Sequence, residues 1–188
     1  MDAHQRACGA AWENCLALAS VIGCTRAGAL RVSIEHETWM DLLAEQGMCS
    51  LFMGVFLSAY ELQVEAGIPP EAVLLEMYVP KEPAEIMERV AEVGLFGQLG
   101  LHPRTSTYDH TTRLEKLDRS SIQSFLREAL EERIRTGRFD REWKEAQESE
   151  EPVLKRLLER VGRHPIAEAE KRLREALGTA HGEEERGP

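Results

Sequence analysis

Three carboxylates stand where apolar side chains would be expected. Asp41 and Glu45 lie one helical turn apart, directly before the run Gly47-Met-Cys-Ser-Leu-Phe-Met-Gly-Val-Phe-Leu-Ser-Ala-Tyr60. Steps of three or four from Asp41 lead to Glu45, Cys49, Phe52 and Phe56, so on a helix the two acids share a face with core-type residues. Glu76 interrupts a second apolar stretch, Ala72–Val79. An unpaired carboxylate removed from water costs several kcal/mol or takes up a proton, so acids in such places usually have a cation beside them. The plainer alternative is that these acids mark helix edges and stay hydrated, as acidic helix faces commonly do.

The elements that must hold these acids are helical. Alanine, cysteine, leucine and isoleucine at 11, 15, 18 and 22 predict a first helix over Ala10–Val21, stopped near Gly23. A turn at Cys24–Gly28 leads into a short extended piece, Ala29–Ser33. A long helix over Glu37–Glu65 carries Asp41 and Glu45 and ends at Gly67-Ile-Pro-Pro70. The next helix starts at Pro70-Glu71, a favourable first turn, and holds Glu76 before Pro80 and Pro83 break it. Helix resumes over Glu85–Val93. The stretch Gly97–Thr112, rich in Gly, Pro, Ser, Thr and His, predicts an ordered loop. Ser120 or Ser121 caps a helix ending near Gly137, and Phe139–Glu148, Pro152–Val161 and Pro165–Leu177 complete the set. Residues 1–178 read as one all-α domain and residues 179–188 as a polar, disordered tail. The run from Gly47 to Tyr60 is apolar on every face, so it has to be surrounded, and a second copy of the chain is the expected cover.

Bulk properties narrow the partners. The 188 residues are 43% hydrophobic and carry a formal net charge of −10, with no basic patch to meet nucleic acid or an anionic membrane. Small metabolites and other proteins remain. The uninterrupted run Gly47–Tyr60 falls short of the roughly 18 apolar residues needed to span a bilayer. Met1–Ala7 holds no apolar signal core, which predicts a cytoplasmic protein. Cys8, Cys15, Cys24 and Cys49 suit that compartment as reduced thiols, and with no CxxC pair among them a zinc site is not expected.

In order along the chain, His4-Gln5 with Ala7 and Gly9, Leu16–Ser20, Ile22-Gly23, Arg26–Gly28, Glu37-Thr38, Asp41-Leu42 and Glu45-Gln46 resemble the start of the C-terminal domain of ketol-acid reductoisomerase. The resemblance continues through Val64–Gly67, Pro70-Glu71 and Glu76, then Tyr108, Arg127–Leu130, Gly137–Phe139, Trp143 and His164–Ile166 with Leu173. It spans about residues 3 to 177, and Asp-Leu-x-x-Glu-Gln with a later Glu is its most specific part. The family joins a Rossmann domain that binds NADPH to a knotted helical domain similar to that of 6-phosphogluconate dehydrogenase, and its short forms are intertwined dimers. The resemblance therefore implies a homodimer in which Asp41 and Glu45 of one chain and Glu76 of the other hold Mg²⁺. It implies action on a 2-hydroxy-3-oxo acid in branched-chain amino acid biosynthesis, where magnesium would polarise the carbonyl and neighbouring hydroxyl for alkyl migration.

The departures from the family pattern are equally specific. No GxGxxG follows a strand in this chain, so NADPH would have to come through a separate domain or protein, such as a free-standing Rossmann dehydrogenase. The family's fourth carboxylate falls at Pro80, with Glu82 the nearest substitute. Its substrate-binding serine falls near Pro103, with Thr105 or Ser106 as replacements. Two readings follow: a magnesium-dependent isomerase part, or a non-catalytic dimeric scaffold or regulatory module derived from that domain. His36, His102 and His110 could line a cleft, and Arg26 and Arg104 could meet a substrate carboxylate, but capping and structural pairing are the simpler roles. Trp12, Trp39 and Trp143 read as packing residues, and the Glu- and Arg-rich stretch Glu128–Arg174 as a solvated surface.

Overall fold

A computed structural model describes residues 9–26, 28–149 and 152–178, and among these every regular element is helical. His4, Gln5, Ala7, Cys8, Ala27 and the tail 179–188 lie outside them. In chain order the helices are α1 (Ala11–Val21), α2 (Ile34–Leu43), a π-helical turn (Ala44–Cys49), α3 (Ser50–Glu65), α4 (Pro70–Met77) and α5 (Glu82–Val93). A 3₁₀ turn (Gly97–Leu101), α6 (Arg104–Lys116), α7 (Ser120–Glu128), a second π-helical turn (Ala129–Ile134), α8 (Arg138–Glu148), α9 (Val153–Gly162) and α10 (Pro165–Leu177) complete the chain. Two compact units result, 1–51 with 121–143 and 52–120 with 144–188.

Local chemistry explains most boundaries. Helix α2 starts three residues earlier than the sequence predicts because the Ser33 hydroxyl accepts the His36 N–H at 3.1 Å, a side-chain cap. Helix α5 begins at Glu82 rather than Glu85, since Pro83 sits in the first turn, where its missing N–H costs nothing. The break before it is a backbone event: Lys81 takes φ 68°, the left-handed region that non-glycine residues seldom enter.

The segment Gly97–Thr112 corrects the expectation of a loop. It folds into the 3₁₀ turn and most of α6. Its threonines, which read as loop formers, turn their hydroxyls back onto the helix: Thr111 donates to the Thr107 carbonyl at 2.8 Å and Thr112 to that of Tyr108 at 2.8 Å. Thr107 donates to the Leu99 carbonyl at 2.9 Å, tying α6 to the preceding turn. Pro103 stands at the N-cap, pre-set for helix entry.

In the second unit Tyr60, Val73, Leu74, Ala169 and Leu173 form a buried cluster, with Val64, Met77, Tyr78, Val79 and Ile166 packed around it. Helices α4 and α10 provide most of it. Polar contacts secure its edges. The Tyr78 hydroxyl donates to the Glu170 carboxylate, and Arg172 pairs with Glu71. His164 accepts the Ile166 N–H on Nδ1 at 3.2 Å, which leaves its proton on Nε2, 3.1 Å from the Glu61 carboxylate.

The first unit buries only small or single residues: Ala19, Gly47, Ala129 and Ile134. Gly47 is there for space. A Cβ at that position would stand 2.6 Å from Leu126 Cδ2 and 3.1 Å from Leu43 Cδ1. Arginines stack on its tryptophans, Arg31 over Trp12 at 5.1 Å and Arg135 over Trp39 at 4.7 Å. Trp143, read from the sequence as a packing residue, is 44% exposed.

Helix from Ile34 to Glu65 is continuous over 32 residues, and by length and composition alone it is apolar enough to cross a membrane, a test that core helices also pass. The predicted enclosure of Gly47–Tyr60 is not supplied by its own chain. Phe52 is 53% exposed and Val55 67%.

Candidate functional site

Asp41 lies near the end of α2, and Glu45 is the second residue of the π-helical turn. The wider π turn closes i→i+5 hydrogen bonds and shifts the phase of side chains after residue 43, so the α-helical stripe Asp41–Glu45–Cys49–Phe52 is carried by altered geometry. All four of these residues are exposed. Glu76 is the penultimate residue of α4 and Glu82 opens α5; both are exposed. Helix α4 stops at Met77, so Pro80, where the sequence reading expected a fourth acid, lies outside any helix.

None of the four carboxylates has an ion pair or hydrogen bond among the described residues. Nor do the described residues of the single chain draw together any group of three or more His, Cys, Asp or Glu side chains fit to hold a metal. The donor chemistry nonetheless suits a hard divalent ion, for each acid is free to coordinate through oxygen. The expectation that the acids sit in apolar surroundings is met only in part. Apolar residues close to them in the chain are themselves exposed, Met40 at 57%, Met48 at 60% and Leu75 at 46%. They remain in solvent in the single chain.

Two cavities lie in the region after Glu82. One, of about 410 Å³, is lined by Glu82, Glu85, Arg89, Gln98 and His102 among others. Gln98 is buried, and its Oε1 meets His102 Nε2 at 2.7 Å. The second, of about 370 Å³, is lined by His102, Arg104, Thr107, Tyr108 and Thr111. Thr105 and Ser106, the predicted serine substitutes, line neither: Thr105 is exposed, and Ser106 is half-buried. His102 and His110 do meet, with ring centroids 5.4 Å apart, whereas His36 packs on Trp39. Gln98 was missed by sequence reasoning. Its spacing of four from His102 was the available signal, hidden by reading that segment as a loop.

The chain matches the family described as ketol-acid reductoisomerase, C-terminal domain, over residues 34–178. It is 35% identical over 176 residues to the ketol-acid reductoisomerase (NADP(+)) of Methanopyrus kandleri, covering 93% of this chain and 52% of that protein. It is 33% identical over 175 residues to that of Pyrobaculum neutrophilum, covering 93% and 53%. Among solved structures, an NADH-preferring ketol-acid reductoisomerase from an uncultured archaeon superposes with a TM-score of 0.76 at 28% identity, covering 89% of this chain and 50% of that one. The chain thus spans about half the length of the curated relatives it matches. By sequence and by fold, it belongs to the family of ketol-acid reductoisomerase C-terminal domains.

Proposed function

We propose that this chain is the metal- and substrate-holding part of a ketol-acid-reductoisomerase-like isomerase, acting on a 2-hydroxy-3-oxo acid and working as a homodimer. The observation that carries this reading is the set of unpaired, exposed acids, Asp41, Glu45 and Glu76, lying within the family match on surfaces rich in exposed apolar side chains. A second copy covering those surfaces would take the acids out of water, and desolvated carboxylates demand a cation. Asp41, Glu45 and Glu76 would hold Mg²⁺, with Glu82 a further candidate. When bound, that ion would polarise the carbonyl and hydroxyl of the substrate. The chain's own contribution is to hold oxygen donors in place and exclude water around them. Reduction would require NADPH on a nucleotide-binding domain or protein outside these residues, because the described residues contain no βαβ unit.

One observation favours the second reading, a non-catalytic dimeric scaffold or regulatory module. Pro80 removes the fourth acid, and the left-handed Lys81 separates Glu82 from the helix that carries Glu76. Titration calorimetry with Mg²⁺ and Mn²⁺ separates the two. Saturable binding lost in Asp41→Ala supports the enzyme reading, and no heat at millimolar metal supports the scaffold.

A further inference from the structure

Helix α9 contributes no buried residue to the core of its unit. Leu154, Leu157, Leu158 and Val161 follow one another at steps of three and four, so they form one stripe, and each is between 49% and 65% exposed. Helices shorter than roughly 12 residues are marginal in water unless an amphipathic face is packed. With ten residues, α9 needs cover for its stripe from outside the single chain.

The charges around the stripe identify the cover. Around the helix, Lys155 borders the stripe on the Leu158 side and Arg160 on the Leu157 side, with Arg156 and Glu159 behind. Residues 153–163 carry Lys155, Arg156, Arg160 and Arg163 against Glu159 alone, three net positive charges in a chain of −10, which leaves −13 on the rest. Two α9 helices laid face to face would set like charges together, so the helix does not suit its own copy. An anionic bilayer would attract these side chains but repel the acidic remainder of the chain. The complementary surface is apolar and acidic.

Helix α5 presents such a surface. Glu85, Glu88 and Glu92 stand at steps of three and four along one side of it. At its end come Val93, Leu95 and Phe96, which are 50%, 63% and 67% exposed. Arg89 offsets one of these acids, pairing with Glu92 at 2.7 Å. Glu85 and Glu88 also line the cavity of about 410 Å³, which leaves room beside them for a long basic side chain.

We propose that α9 docks on the α5 surface of a second copy, its apolar stripe against Val93, Leu95 and Phe96 and its basic edges against Glu85 and Glu88. This rests on the homodimer of the proposed function and names one of its contacts. Two-fold symmetry forms the contact twice, because each copy carries both surfaces. Apolar burial supplies the affinity, and the charges fix the partner and the register.

The test is light scattering on the full chain over a range of concentrations. Wild type should be a dimer whose dissociation constant rises with salt. Lys155→Glu with Arg160→Glu should raise that constant by about tenfold or more. Adding Glu85→Lys with Glu88→Lys should bring it back, since only a direct pairing is restored by exchanging charges. Leu157→Glu should yield monomer. All five positions are exposed, so the circular dichroism of each variant should match wild type. If Leu157→Glu fails to fold, the charge exchange decides. An unchanged constant in Lys155→Glu with Arg160→Glu overturns the proposal and leaves the homodimer standing, as does a loss that the exchange does not recover. Wild type that stays monomeric overturns both, and the metal reading keeps its own test by calorimetry. Retention on phosphatidylserine vesicles, lost in Lys155→Glu with Arg160→Glu, would assign α9 to a membrane and overturns docking on a second copy.

Discussion

The two units differ in the core each of them closes. The second closes a core on itself, with Leu74 fully buried and Val73 1% exposed between α4 and α10. The first buries two alanines, a glycine and an isoleucine, while Leu18 is 66% exposed and Val21 84%. Burial of apolar area is the main favourable term in folding, so the second unit has a core of its own, yet with Phe52 53% and Phe96 67% exposed it too leaves apolar surface to be covered. Asp41 and Glu45 belong to the unit with the smaller core, and there the backbone also leaves α-helical register twice.

The largest effect should come from the buried core of the second unit. Leu74→Ala is expected to lose about 2–5 kcal/mol of unfolding free energy, measured by urea titration, whereas truncating Ile134 to valine in the first unit should cost only about 0.5–1.5 kcal/mol. Equal losses would erase the contrast. Next in size is the effect expected of a second copy covering the exposed apolar faces. Unfolding of wild-type chain should shift to higher temperature with protein concentration, as mass action requires of a dimer. Met48→Glu, at an exposed apolar position of the first unit, should yield monomer by light scattering; an unchanged mass would remove the homodimer from the proposal.

A smaller effect concerns the edge of the second core. Burial first, and then the hydrogen bond to Glu170, push the Tyr78 hydroxyl well above its ordinary value of 10.0. The folded state therefore keeps a proton that the unfolded chain gives up, so this contribution is complete below pH 10 and is lost as pH rises further. Tyr78→Phe should be less stable than wild type at pH 8, and the gap should narrow above pH 10. A gap independent of pH would show that Glu170 does not act through that proton. The smallest effect is expected at the exposed Arg89–Glu92 pair, 2.7 Å apart, where Arg89→Ala should leave the melting temperature essentially unchanged.

Much of the fold is legible along the chain because helices declare themselves locally. Apolar spacing locates α1, α8, α9 and α10 to within a residue or two, and Pro70 marks the start of α4. The acids are legible by contrast, being charges within apolar runs, and the family motif names them independently. The segment 97–112 is misread because composition points to a loop, while threonine hydroxyls that bond back to the helix are visible only once the backbone is folded. The two π turns leave no mark in hydrophobic period. Gln46 reads as the end of the Asp-Leu-x-x-Glu-Gln motif, and nothing in a sequence tells whether its amide is buried without a partner.

By itself the sequence determined the helical class, the family and the candidate oxygen donors, because these depend on side-chain type and near-neighbour spacing. Tertiary structure alone decided which faces are left open, that no three metal-type ligands come together among the described residues, and that the Gln46 amide is buried without a partner. Burial and hydrogen-bond satisfaction are properties of what packs against a residue, and those neighbours come from distant parts of the chain or from another molecule.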